Sequence, residues 1–212
     1  MKRLLGALFL SIGLIANAAH ASPDAPVLNK DYSVLSKAQP VDAPAGKIEV
    51  IEFFWYGCPH CFAFEPFIEK WAKAKGDDVV FHRIPVAFND QFKPHSLMYH
   101  ALVAMGLEST LTPKVFEEIH VKKDYLLTPD AQAKFLATQG VDPKKYLATY
   151  NSFSVQSALK RDTDMMNSYQ IEGVPTVVIQ GKYVTSPAQT QSLDGTIKVM
   201  DWLDAQIRAK KM

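Results

Sequence analysis

Alternating and fully apolar stretches give way to helical spacing and then return along this chain. Lys47 to Tyr56 (KIEVIEFFWY) has the β-branched and aromatic make-up of a strand, with Ile48, Val50 and Phe54 on one face and Ile51, Phe53 and Trp55 on the other. Apolar residues on both faces predict a central strand covered on each side. Phe62 to Gly76 carries apolar residues at helical intervals. Val79 to Val86 (VVFHRIPV), bounded by Gly76-Asp77-Asp78 and Asn89-Asp90, predicts a second strand. From Gln91 to Tyr169 the pattern is helical only. Phe92, Leu97, Met98, His100, Ala101, Leu102 and Met105 recur at helical spacing. Thr112-Pro113, Thr128-Pro129 and Asp142-Pro143 each set a capping residue before a first-turn proline, which predicts three more helix starts. Ser154 to Tyr169 reads as a longer helix. Strands return at Thr176 to Ile179 and Lys182 to Thr185, joined by a hairpin signal at Gln180-Gly181. A last helix, about Leu193 to Lys210, offers Ile197, Met200, Trp202, Leu203 and Ile207 for one apolar face.

Strands at both ends and helices between them predict an α/β fold, residues 47–88 with 163–212, interrupted by an all-helical insertion, residues 89–162. Its short connections disfavour a third independent domain. Residues 22–46, rich in Pro, Ala and Asp, form an N-terminal lead-in with a short strand expected around Tyr32 to Leu35. Ahead of it, Met1-Lys2-Arg3, an apolar run from Leu4 to Ala19 and Ala19-His20-Ala21 read as a secretory signal, residues 1–21, cleaved after Ala21. The run is shorter than the ~20 residues that span a bilayer, so no stable membrane insertion is expected. A soluble product in a bacterial periplasm fits best.

The whole chain of 212 residues has 23 Lys and Arg against 22 Asp and Glu. Loss of residues 1–21 removes Lys2 and Arg3 and no acid, which leaves the mature chain close to neutral. That balance gives no support to nucleic acid or an anionic membrane as partner.

Chemistry concentrates in Cys58-Pro59-His60-Cys61, which contains both cysteines of the chain. A strand, a Gly57 turn and a C-x-x-C opening a helix form the thioredoxin-like redox arrangement. At the first turn of a helix, a Cys58 sulfur faces unpartnered N–H groups and the positive end of the helix dipole, and both favour thiolate. Pro59 suits the first helical position, where a missing N–H costs nothing. His60, when protonated, can donate to the sulfur. Each unit of pKa lowering corresponds to about 1.4 kcal/mol, or roughly 30 mV toward a more oxidising couple if carried fully into the redox equilibrium. A purely structural disulfide across so short a loop would remove little chain entropy. A zinc site completed by His82, His95, His100 or His120 lacks a second ligand pair at a convincing spacing; His95/His100 alone comes near, within a helical pattern. No dinucleotide fingerprint, P-loop or metal set is present, so no cofactor beyond the cysteine pair is expected.

These features, together with the helical insertion, Glu52-Phe53-Phe54, Asn151-Ser152-Phe153 and Gly173-Val174-Pro175-Thr176 before the late hairpin, make the chain resemble the DsbA family of periplasmic thiol:disulfide oxidases over essentially its whole mature length. The resemblance implies a thioredoxin-like fold and a disulfide donor. It makes Cys58 the exposed attacking and leaving sulfur, Cys61 its buried partner and His60 the thiolate stabiliser. Pro175 is then cis and faces the disulfide, with the Val174 backbone pairing to an extended substrate. The implied partners are reduced secreted or periplasmic proteins and a DsbB-like, quinone-linked membrane protein for reoxidation, and a monomer is implied. A disulfide isomerase or reductase on the same fold is the chemical rival, although residues 22–46 are too short for the dimerisation module usual in isomerases. A redox-inactive chaperone with a peptide groove around Phe62, Phe64, Met165 and Met166 is the other, and retention of both cysteines speaks against it.

Glu52 is out of place on a doubly covered strand, where a carboxylate is costly unless paired or protonated. By analogy with the thioredoxin superfamily it is expected to move protons near the buried cysteine. Arg83 and His82 are the candidate cations beside it, and a strand-end acid reaching solvent is the plain alternative.

Overall fold

The computed structural model describes residues 25–211; the expected signal segment, residues 1–21, lies outside the described residues. After β1 (Ser33–Val34) the chain enters β2 (Ile48–Phe54), whose seven residues are all buried, as its two apolar faces require. Helix α1 (Pro59–Lys75) follows, then β3 (Val79–Pro85). Five helices come next: α2 (Lys93–Ala104), α3 (Glu108–His120), α4 (Pro129–Thr138), α5 (Pro143–Tyr150) and α6 (Phe153–Ser168). The chain then returns through β4 (Thr176–Ile179) and β5 (Tyr183–Thr185) and closes with α7 (Pro187–Thr190) and α8 (Leu193–Arg208).

The strands form one sheet in the order β1-β5-β4-β2-β3, with β2 parallel to β3 and antiparallel to β4. Ile48 and Val50 pack under α1 and α8, against Phe64, Ile68, Trp71, Met200 and Leu203. On the opposite face Ile51 and Phe53 pack with Val86, Tyr169, Ile171 and Val178. A third apolar cluster runs from Phe54 and Tyr56 past both cysteines into α2, α3, α4 and α5. The redox motif therefore sits where the sheet core meets the helical core.

Most helix starts obey the capping chemistry of the sequence. The Thr128 hydroxyl accepts from Ala131 N–H at 3.2 Å, and Asp142 accepts from Lys144 and Lys145. Thr112-Pro113 does not start a helix. Helix α3 is already under way from Glu108, the Thr112 hydroxyl is buried against the Tyr56 hydroxyl at 2.8 Å, and Pro113 sits in the second turn with its ring exposed. Pro113 has no N–H, so the Ser109 carbonyl receives no helical bond from it. The expected boundary at 162/163 falls inside α6, which runs unbroken to Ser168. At the β4–β5 turn Gln180 and Gly181 both have positive φ, 52° and 60°, as a type I′ hairpin needs. A side chain at Gly181 would also meet the Gln39 carbonyl oxygen at 2.4 Å.

Phe116 of α3 packs against Phe54, Tyr56 and Phe62, and so joins the helical insertion to the site strand and to α1. Phe116→Ala is expected to cost about 3–5 kcal/mol, the range for emptying a buried aromatic site, measured by urea unfolding of the oxidised protein.

Candidate active site

Cys58 is the N-cap of α1, with extended backbone (φ −84°, ψ 119°), and Pro59 is the first helical residue. The Cys58 N–H donates to the Trp55 carbonyl at 3.0 Å, and the Cys58 carbonyl accepts from Phe62 N–H at 3.1 Å. The turn between strand and helix is tight because Gly57 lies under the Trp55 ring, where a β-carbon would come within 2.2 Å. Trp55 in turn stacks on Phe92 at 3.7 Å between centroids.

Both cysteines are free thiols in this structure, in unlike settings. The Cys58 residue is 6% exposed and Cys61 is fully buried. The expectation of an exposed Cys58 is therefore corrected: the cap position tucks its sulfur against the Val174 carbonyl oxygen, 3.5 Å away. The Val174-Pro175 bond is cis. Hydrogen bonding from the Cys61 thiol, joined by the N–H groups of Cys61 and His60 and the His60 side chain, outweighs burial and brings the Cys58 pKa down to about 5. Burial, and then the hydrogen bond and charge of Cys58, hold Cys61 well above its usual value. One proton thus resides on the inner sulfur while the outer one is a thiolate. Pro59 and His60 are exposed at the mouth of the site.

Val174 and Pro175 lie between two grooves. One, of about 520 Å³, is walled by His60, Ala63, Pro187 and Leu193; the other, of about 780 Å³, runs toward Val34, Leu35, Gln170 and Gln189. Among the described residues, the N–H groups of Glu172, Gly173 and Val174 make no hydrogen bond within the protein.

Glu52 faces α1 from β2, and its partner is Arg83, its registered neighbour on β3. Arg83 Nε donates to Glu52 Oε2 at 2.8 Å. His82 points to the other face, with Nε2 3.9 Å from Glu49. Sequence reasoning missed what else gathers on Arg83: Glu65 at 2.9 Å, Glu69 at 3.0 Å and Glu108 at 3.1 Å. Cys61, Glu65 and Glu69 are spaced i, i+4, i+8 on α1, so the signal was present as one helix face. Also missed was His120, whose ring stacks on Phe62 and whose Nε2 bonds the Tyr56 carbonyl at 2.8 Å.

Titrating the ultraviolet absorbance of the thiolate in reduced protein is expected to give a midpoint at about 5 for Cys58. Because the folded pKa is depressed, this sulfur's contribution to stability is complete above the unfolded thiol value and lost as pH falls through 5. The stability of the reduced protein relative to the oxidised one should therefore rise with pH from about 5 up to the unfolded thiol value and fall above it, where only the unfolded chain ionises Cys61, which urea unfolding of both forms would measure.

The profile of the DSBA-like thioredoxin domain matches residues 49–197. The thiol:disulfide interchange protein DsbA of Burkholderia cepacia is 56% identical over 212 residues, covering 100% of both chains. The protein of that name from Pseudomonas aeruginosa is 41% identical over 206 residues, 97% of this chain and 96% of that one. The crystal structure of Pseudomonas aeruginosa DsbA superposes with a TM-score of 0.83, covering 88% of this chain and 96% of that chain at 41% identity. On the family profile and these relatives, and with Cys58 capping α1 ahead of a sealed Cys61, the chain belongs to the DSBA-like thioredoxin family.

Proposed function

We propose that this protein is a periplasmic thiol:disulfide oxidoreductase that donates its Cys58–Cys61 disulfide to newly exported proteins. The observation that carries the reading is the inequality of the two sulfurs, one lowered to about 5 between two grooves and the other sealed and raised. A substrate thiolate attacks the Cys58 sulfur, forming the mixed disulfide and expelling Cys61 as a thiolate, which takes up one proton. A second substrate thiolate then attacks the substrate sulfur of the mixed disulfide and expels Cys58, which stays ionised. The substrate gives up two electrons and two protons; the enzyme keeps the electrons and one proton. A leaving group with so low a pKa departs fast.

The roles follow the geometry. His60 and the helix N-terminus stabilise the Cys58 thiolate, and Pro59 starts that helix without wasting an N–H. An extended substrate pairs with the free backbone of Glu172 to Val174, with Pro175 fixing the loop beneath it. Glu52 exchanges the proton of Cys61. The redox group is the cysteine pair itself, with no added cofactor. The reduced enzyme, a monomer free in the periplasm once residues 1–21 are removed, is reoxidised by a DsbB-like, quinone-linked membrane protein. Among the described residues no helix is long and apolar enough to cross a membrane.

Cys61→Ser should accumulate a mixed disulfide between Cys58 and a substrate protein, seen as a thiol-sensitive band on non-reducing gels. Cys58→Ser should form none and should lose oxidation of a reduced, unfolded substrate. Retained oxidation by Cys58→Ser would overturn the reading.

A further inference from the structure

The segment between α3 and α4, residues 121–128, is exposed along almost all its length yet is held from beneath by buried polar groups. Buried His95 donates from Nε2 to the Tyr125 carbonyl at 2.7 Å. Buried Gln132 donates to the Leu126 carbonyl at 2.8 Å and the Pro94 carbonyl at 3.0 Å, and its amide oxygen accepts from the Tyr146 hydroxyl at 2.6 Å. The Leu126 side chain is sunk in the helical core. Two residues of the segment other than glycine have left-handed backbone, Lys123 with φ 63° and Leu126 with φ 49°. For a leucine that conformation is costly, and it persists only where the surroundings over-determine it, as these pins do. What they hold outward is apolar: Val121 is 60% exposed and Tyr125 59%.

This surface adjoins the redox turn. His120, the residue before Val121, stacks on Phe62 with centroids 4.9 Å apart and rings within 7° of parallel, and Phe62 lies one helical turn after Cys58. His95, which holds Tyr125, lies 5.9 Å between ring centroids from Trp55, whose carbonyl takes the Cys58 N–H. No residue of the segment lines either groove beside Val174 and Pro175; the nearer of those grooves takes His60 and Ala63 from α1. The start of α1 therefore has apolar surface on two separate sides. We propose that Val121 and Tyr125 form a second wall of the substrate site, which takes apolar or aromatic side chains flanking the cysteine of a reduced, unfolded polypeptide joined to Cys58. The proposal rests on the oxidase reading and deepens it, because it concerns which substrates that site prefers.

The chemistry of the wall selects this occupant. Pairing with the backbone at Glu172 to Val174 is blind to sequence, and contacts with side chains supply preference. A tyrosine offers a large contact area with few rotatable bonds, and a wall already fixed in place loses little freedom on binding. Charge gives the segment less to offer: Lys122 is paired with Glu118 at 2.8 Å, and the Asp124 carboxylate accepts from Leu126 N–H at 3.3 Å. Two exposed apolar side chains suit a short extended segment. A stable contact with a folded partner buries on the order of 800 Å² on each side, far more than these two residues present. The wall is also continuous with the mouth of Cys58 through His120 and Phe62, so a chain attached at that sulfur reaches it without a second docking event.

The test is single-turnover oxidation of two reduced dithiol peptides by the oxidised protein, one with leucine and phenylalanine beside its cysteines and the other with serine in their place. The readout is the ratio of the two rates at subsaturating peptide. In Val121→Ser/Tyr125→Ser the preference for the apolar peptide should fall about tenfold, the scale of one lost anchoring side chain. The reduction potential should not move, which separates docking from a disturbed redox turn. Val103→Ser, at another exposed apolar residue near the end of α2 remote from His95, should keep the preference. Should the double variant not fold, Tyr125→Ser alone decides. An unchanged ratio in the folded variant would overturn the proposal and leave disulfide donation standing. An unchanged ratio with slowed reoxidation by bacterial membrane vesicles would give the surface to the reoxidising protein instead, and overturn it too. Failure of the native protein to oxidise either peptide would remove the oxidase reading itself.

Discussion

Holding two sulfurs one helical turn apart in opposite electrostatic settings is the constraint on which the rest of this structure depends. Cys58 caps α1, where N–H groups, His60 and the Cys61 thiol all favour its charged form. Cys61 lies inside the first turn with no exposed surface, where burial and its neighbours favour the neutral form. Separating them takes a rigid strand-to-helix turn, and β2 supplies it by being buried on both faces. A looser turn would let both sulfurs sample the same surroundings, and the preference for thiolate at one and thiol at the other would shrink.

The helical insertion completes that environment. Phe116 closes over Phe54, Tyr56 and Phe62, and His120 both stacks on Phe62 and holds the Tyr56 carbonyl. Glu108 reaches from α3 to Arg83 on β3, so the same guanidinium binds groups from β2, α1 and α3. Such a buried ionic cluster is weak as a source of net stability, since desolvation offsets much of the attraction. Apolar packing holds the insertion in place.

Where residue spacing alone decides the outcome, the sequence was legible. The doubly apolar run at Lys47 to Tyr56 became the central strand, Cys58-Pro59 became the cap and first residue of α1, and Gln180-Gly181 became the hairpin turn. What escaped depends on tertiary partners. Thr112-Pro113 has the signature of a helix start, yet its hydroxyl is taken by Tyr56, which is remote in sequence. Arg83 and His82 were equally placed beside Glu52 until the parallel register of β2 and β3 put Arg83 on its face. Glu65 and Glu69 look like ordinary solvated helix residues until a buried cation opposite them is known. The cover over Cys58 comes from Val174, more than a hundred residues away, and no local pattern announces it.

Equilibrating the mature protein with glutathione buffers and reading the reduction potential of the Cys58–Cys61 couple tests the inequality of the two sulfurs most directly. A thiolate stabilised as Cys58 is here favours the reduced form, so the potential should lie well above the roughly −180 mV of protein disulfide isomerase. A value near the roughly −270 mV of thioredoxin would mean that the low thiol pKa is not expressed in the redox equilibrium, and the account of a disulfide donor would be contradicted.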